Sequence, residues 1–224
     1  MQKIGISCFL MLMLFVGVWQ RAAAQDTGFR FGIRLNPLVT TVRVTDQDKN
    51  AIKIGQKGRA GIGIGLMATY NFTDKFGIYS GINYVSRGYI TKYKSDTSSS
   101  ANVETRANIA YMEIPVALKM RSSEVIEGLR IRGLVGTSLN VAVGGKTTTK
   151  GGPNAGTRAG TKDYIPFVMD VVAGAGVEWT LENVGTLDLG LSYHHALWKA
   201  AKTPQDSSPI IKMSYISLDL GYYF

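Results

Sequence analysis

Lys212-Met213-Ser214-Tyr215-Ile216-Ser217-Leu218-Asp219-Leu220-Gly221-Tyr222-Tyr223-Phe224 is the stretch that decides the fold. Ile216, Leu218, Leu220, Tyr222 and Phe224 are large and apolar, while Ser217, Asp219 and Gly221 between them are small or polar. Successive side chains point to opposite faces of a strand, so a period of two gives one greasy face and one wet face. The strand runs to the last residue and ends on an aromatic, as expected of a strand that closes a membrane barrel. Such a barrel turns apolar residues to lipid, carries aromatic girdles at both interfaces and keeps a polar interior. The expectation is an all-β protein: an eight-stranded antiparallel up-and-down barrel that crosses the outer membrane.

Working outward, seven earlier segments show the same alternation. In the first, Phe29, Phe31, Ile33 and Leu35 alternate with Arg30, Gly32, Arg34 and Asn36. The second sets Ile62, Ile64, Leu66, Ala68, Tyr70 and Phe72 against glycines, Met67, Thr69 and Asn71. The third spans about 76–93 with Ile78, Ile82 and Tyr84 on one face, and the fourth spans 108–120 with Tyr111, Glu113 and Lys119 inward. The fifth carries Arg130, Arg132, Ser138 and Asn140 inward, and the sixth Asp170, Gly174, Gly176 and Glu178. The seventh turns Asp188, Gly190, Ser192 and His194 inward. Connections at 73–75, 121–128 and 182–185 are short; those at 43–58, 94–106, 145–163 and 199–211 are long. Short and long alternate, as periplasmic turns and extracellular loops do. An even strand count places both termini on the periplasmic side. Phe72, Phe76, Trp179, Tyr222 and Phe224 are expected as a girdle at the turn end, with Tyr89, Tyr93, Tyr164 and Trp198 at the loop end.

The N-terminus reads as a secretory leader, residues 1–24, ahead of a barrel domain at 25–224. Lys3 gives the basic start, residues 4–18 the apolar stretch, and Ala22-Ala23-Ala24 the cleavage site. Cys8 lies inside the leader, so the remaining 200 residues have no cysteine for disulfides or thiolate metal sites. They keep 23 basic and 16 acidic residues, net +7. No later apolar run is long enough for a membrane helix, which leaves strands to do the crossing.

Tyr111-Met112-Glu113-Ile114-Pro115-Val116-Ala117-Leu118-Lys119 resembles the Y-x-E-I-P-x-x-x-K strand of the PorT-like outer-membrane β-barrel proteins. The Gly-rich 61–70 strand, Ser80-Gly81-Ile82-Asn83-Tyr84 with Arg87-Gly88, Gly174-Ala175-Gly176-Val177-Glu178 and Leu220-Gly221-Tyr222-Tyr223-Phe224 follow in that family's order. The resemblance covers residues from about Gly32 to Phe224 and implies an eight-stranded barrel in a Gram-negative outer membrane. Its members include an accessory factor for type IX protein secretion, and most have no assigned activity.

Chemistry is sought first in the lumen. The strand register turns Arg30, Arg34, Lys119, Arg130 and Arg132 inward to face Glu113, Asp170, Glu178, Asp188 and Asp219. Buried charges must be paired, and eight strands enclose little beyond their own side chains, so a salt-bridged plug is expected. Ser192 and His194 share a face, but nucleophilic catalysis needs the hydroxyl bonded to the imidazole and an acid orienting the ring. Asp206 is expected in a loop and Asp219 near the other end of the barrel, so no catalytic residues are assigned. His194 and His195 without further ligands make a poor metal site. Residues 146–152 are Gly-rich but lack the strand–loop–helix setting of a phosphate loop.

The four long connections hold twelve basic and six acidic residues, a charge suited to the anionic sugars and phosphates of lipopolysaccharide. The expected partners are outer-membrane lipid and lipopolysaccharide, the barrel assembly machinery through the C-terminal strand, and secretion-system components. No nucleic-acid motif is present, and nucleic acid is not an expected partner. The reading is a non-enzymatic outer-membrane barrel without cofactor or metal, a structural or accessory component of the envelope that supports secretion. Two alternatives stay open: a narrow pore or binder for a small solute, and a lipid-A-modifying barrel hydrolase.

Overall fold

A computed structural model describes residues 27–45, 55–94, 102–151, 155–160, 165–198 and 210–224. The leader, Cys8, Tyr164, Asp206 and most of the 199–211 connection fall outside these residues. All regular structure described is strand: β1 (Gly28–Thr45), β2 (Gly55–Gly58), β3 (Ala60–Asn71), β4 (Phe76–Lys94), β5 (Asn102–Ile126), β6 (Leu129–Lys150), β7 (Gly156–Ala159), β8 (Phe167–Leu181), β9 (Gly185–Ala196) and β10 (Ile210–Tyr223). Eight of them close a ring in the order β1-β3-β4-β5-β6-β8-β9-β10, every neighbour antiparallel, with β10 returning to pair β1. The short β2 and β7 lie on β4 and β6.

The protein is inside out relative to a soluble fold. Along β1, Phe29, Phe31, Ile33, Leu35 and Val39 are exposed while Arg34, Asn36, Leu38 and Thr40 are buried. The same alternation runs through β3, β8, β9 and β10, and more polar and charged side chains than apolar ones are buried. A closed ring with a greasy exterior satisfies every backbone group within the wall, which is what hydrocarbon demands.

The tight turns follow from local chemistry. At 72–75 the Thr73 hydroxyl oxygen accepts the amides of Lys75 and Phe76, and at 182–184 Asn183 takes a left-handed conformation with φ 59°. Proline offers no N–H to a ladder. The β1–β10 register accordingly skips Asn36 and Pro37, and the β4–β5 register skips Ile114 and Pro115.

The strands outrun their expected ends. Where a connection was expected over 94–106, β4 and β5 pair as far as Lys94 and Asn102, and β6 with β7 makes ladder of the 145–163 connection. About ten residues suffice to cross a bilayer, so the 25-residue β5 projects well beyond it. Past the apolar band the outward residues become Ser86, Asn108 and Arg106, and the alternation that betrays a strand disappears while its hydrogen bonds continue. At the other end β5 continues through bulges to Ile126 instead of turning at Arg121.

Candidate functional site

The lumen is a stack of layers. At the loop end Tyr89, Ala107, Ile109, Tyr111, Val168 and Met213 form a buried apolar cap. Tyr89 therefore faces the interior rather than the lipid girdle expected of it, because it follows Arg87 on the inward phase of β4. Trp198 at this end, and Phe72, Phe76 and Trp179 at the turn end, are exposed.

Beneath the cap, Arg87 bonds Asp170 at 2.9 Å, and its guanidinium lies 4.3 Å over the Tyr111 ring and 5.1 Å over Tyr215. Asn140 donates to Asp170 at 3.1 Å. Glu113 accepts the Tyr215 hydroxyl at 2.5 Å and the Asn83 amide at 3.3 Å, while His194 stacks on Tyr215 with centroids 4.1 Å apart. Ligand-type atoms of Glu113, Asp170 and His194 lie within 4.8 Å of one another. Arg87 already brings a positive charge to this group and Tyr215 a donor, the functions a cation would otherwise serve.

Asp219 is the mid-lumen hub. It binds Arg34 at 2.6 Å, the Asn36 amide at 2.7 Å, the Ser217 hydroxyl at 3.0 Å and, more closely still, the Ser192 hydroxyl; Arg132 stands 3.5 Å away. The expectation that Asp219 sits far from Ser192 is thus corrected: Ser192 pairs with Ser217, two residues from Asp219, in the β9–β10 register. The contact joins Ser192 to Asp219 rather than to His194. The Ser192 hydroxyl donates a hydrogen bond to a carboxylate held by arginine, and His194 turns toward Glu113, 3.7 Å away.

Arg132 bonds Asp188 at 2.5 Å, and Lys119 lies 3.6 Å from the same carboxylate. Gly190 makes room for that arginine, since a Cβ there would stand 2.6 Å from its terminal nitrogen. Toward the turn end Glu178 pairs with Lys119 and stands 3.8 Å from both Arg30 and Arg121, while Lys119 donates to the Tyr223 hydroxyl at 2.8 Å.

The structure thus brings together Arg30, Arg34, Lys119, Arg132, Glu113, Asp170, Glu178, Asp188 and Asp219 inside the barrel. Arg130 is the exception. The bulges in β5 place Glu124 opposite it at the turn-end mouth, where the two bond at 3.2 Å. Arg87, Arg121, Asn36, Asn83, Tyr79, Tyr215 and Tyr223 belong to the interior without having been assigned to it. All but Arg121 sit on inward phases that the alternation itself identifies. Arg121 was hidden by the turn expected at 121–128.

Ile216, Leu218, Leu220, Tyr222 and Phe224 lie on the outer face of the terminal strand, which pairs with β1 on one side and β9 on the other. Tyr222 and Phe224 meet edge to face with centroids 5.4 Å apart, and the Tyr222 hydroxyl donates to the Val184 carbonyl at 2.5 Å.

Two voids open among the described lumen residues, each of about 10 Å³, close to the size of one water molecule. One lies between Arg34, Arg132, Asp188 and Asp219, the other between Glu113, His194, Tyr215 and Ser217.

At the loop end the exposed charges are mostly basic. Glu104 is the one acidic side chain described on this rim, bonded to Lys92 at 3.0 Å and Arg106 at 2.5 Å. Hydrogen bonds from Lys92 and then Arg106 hold its carboxyl down at about 2. Arg43, Lys57, Arg59, Lys146, Lys150, Arg158 and Lys212 share the same rim.

Among solved structures, the chain is similar to the outer membrane protein OprG from Pseudomonas aeruginosa, at 13% identity over 88% of this chain and 97% of that one, with a TM-score of 0.47. It is similar to Neisserial surface protein A at 10% identity over 88% and 98%, TM-score 0.44. It is also similar to Ail of Yersinia pestis at 13% identity over 88% and 100%, TM-score 0.39. No curated protein matches it in sequence. Residues 23–202 match the family described as outer membrane protein beta-barrel domain, and with that span covered the chain belongs to this family.

Proposed function

We propose that this outer-membrane barrel is a plugged, non-conducting and non-enzymatic scaffold that acts through its two ends. The observation that carries the reading is the filled lumen of the described residues, where an apolar cap lies over a network of ion pairs and the voids beside Asp219 and beside Glu113 are each about the size of one water. A solute path would require several of these buried pairs to separate together, each at a cost of about 3–5 kcal/mol. Ser192, committed to Asp219 and away from His194, favours a structural role over hydrolysis.

On this reading the leader is removed, both termini lie in the periplasm and the basic rim faces outward. The terminal strand engages the assembly machinery, the rim meets lipopolysaccharide, and the PorT-like resemblance makes protein secretion the first role to test. Planar bilayers containing the purified protein should show no channel steps; regular unitary conductance would replace the plug with a pore. Comparing proteins released by a deletion strain and its parent tests the accessory role. Periplasmic retention of specific cargo, relieved by plasmid-borne protein, supports it, and an unchanged released set removes it.

A further inference from the structure

The rim is not uniform, and two of its sectors contrast. On β4 and β5, Lys92 and Arg106 both pair with the single carboxylate of Glu104. On β10, β1 and β2 the pattern is reversed. Arg43 of β1 and Lys212 of β10 are direct register partners, two like charges face to face. Such pairs destabilise a sheet unless something stands between them. The Thr40 amide bonds the Arg59 carbonyl at 2.9 Å, so β2 runs alongside the same part of β1 and brings Arg59 and Lys57 next to this corner. Arg43, Lys57 and Arg59 are exposed and Lys212 half-buried, and none of the four has an ion-pair partner among the described residues.

Their height is informative. Val39 and Ile216 are the last well-exposed apolar residues on β1 and β10, and each is followed toward the rim by a polar residue, Thr41 or Ser214. Arg43 and Lys212 lie four residues beyond them. At the rise and tilt of barrel strands this is about 10 Å above the hydrocarbon edge. That height is just beyond the outer margin of the headgroup layer, where arginine and lysine side chains are long enough to reach back to lipid phosphates.

We propose that Arg43 and Lys212, flanked by Lys57 and Arg59, form a docking site for a phosphate group of lipid A in the adjoining leaflet. A phosphate offers several acceptor oxygens to guanidinium and ammonium donors, and charge-assisted bonds of this kind are the strong ones. Bound there, it turns a repulsive cross-strand pair into a bridged one. The proposal rests on the reading that the basic rim faces the cell exterior.

The test uses the full-length protein folded in non-ionic micelles, titrated with lipid A and with the same lipid A stripped of phosphate. Wild type should prefer the phosphorylated form by about ten-fold or more, and the preference should weaken as salt is raised. Arg43→Gln with Lys212→Gln should abolish the preference. Arg43→Lys should keep most of it, and Lys92→Gln, which removes a cation already paired with Glu104, should leave it intact. Equal binding of the two lipids by wild type overturns the site without recourse to any variant, as does a double variant that keeps the full preference. Protease accessibility of the rim on intact cells is scored separately. A periplasmic rim would overturn the orientation, and phosphate preference in micelles would still stand or fall by itself.

Discussion

The lumen and the loop-end rim use the same residues, arginine and lysine on neighbouring strands, for opposite ends. Inside, the cations stand against carboxylates: Arg87 has Asp170, Arg34 has Asp219, Arg132 has Asp188, and Lys119, Arg30 and Arg121 share Glu178. At the β10–β1–β2 rim, cations face cations. Burial accounts for the difference. A charge removed from water must be matched within the protein, whereas an exposed one can wait for a partner from outside. Self-compensation thus marks the buried lumen, while the β10–β1–β2 corner of the rim leaves its described cations without carboxylates.

The comparison is easiest to break from the inside. Glu178→Gln leaves Lys119, Arg30 and Arg121 around a neutral amide, and loss of one member of a buried network should cost about 3–5 kcal/mol in urea unfolding from micelles. A loss below about 1 kcal/mol, the range of exposed pairs, would mean the lumen is wet. Next in size is the outer wall. Leu189→Arg places a charge on the lipid face in mid-strand and should cost about 2–4 kcal/mol, against much less for Leu189→Ala. Equal stabilities would put Leu189 outside the bilayer.

The smallest effect belongs to the compensated sector of the rim. The Glu104 carboxyl is lowered from 4.5 to about 2, so its pairing with Lys92 and Arg106 is complete above pH 4.5 and is lost only as pH falls through about 2. A carbon-13 titration of this side chain with a midpoint near the ordinary glutamate value would show that the rim bonds do not form in solution.

The fold was legible wherever lipid imposed it. Ile216, Leu218 and Leu220, like Phe29, Phe31 and Ile33, had to alternate with lumen residues, so period two was visible in all eight strands. Above the membrane no such pressure exists. Glu104 and Arg106 are polar on the outward face, and the 102–106 end of β5 looked like a loop for that reason. The site was legible as composition but not as pairing. Glu113 and Lys119 could be turned inward from phase alone, whereas the Ser192–Asp219 bond depends on how β9 and β10 slide past one another. The connection between them is too long for turn geometry to set that slide. Tyr89 was misassigned because an aromatic near a strand end suits a girdle and a lumen cap equally well.

Pro37 has a further consequence, one of order in time. The β1–β10 ladder joins strands from opposite ends of the chain and so costs more closure entropy than any hairpin in the ring. It is also the ladder that skips Asn36 and Pro37 halfway along, where the Asn36–Asp219 side-chain bond, beside the Arg34–Asp219 ion pair, spans the gap. A cylinder with one such line along its wall zips shut there last and parts there first. Amides flanking Pro37 should therefore be the earliest in the membrane wall to exchange with deuterium, and the Asn36 side chain serves as the clasp that holds the finished cylinder closed.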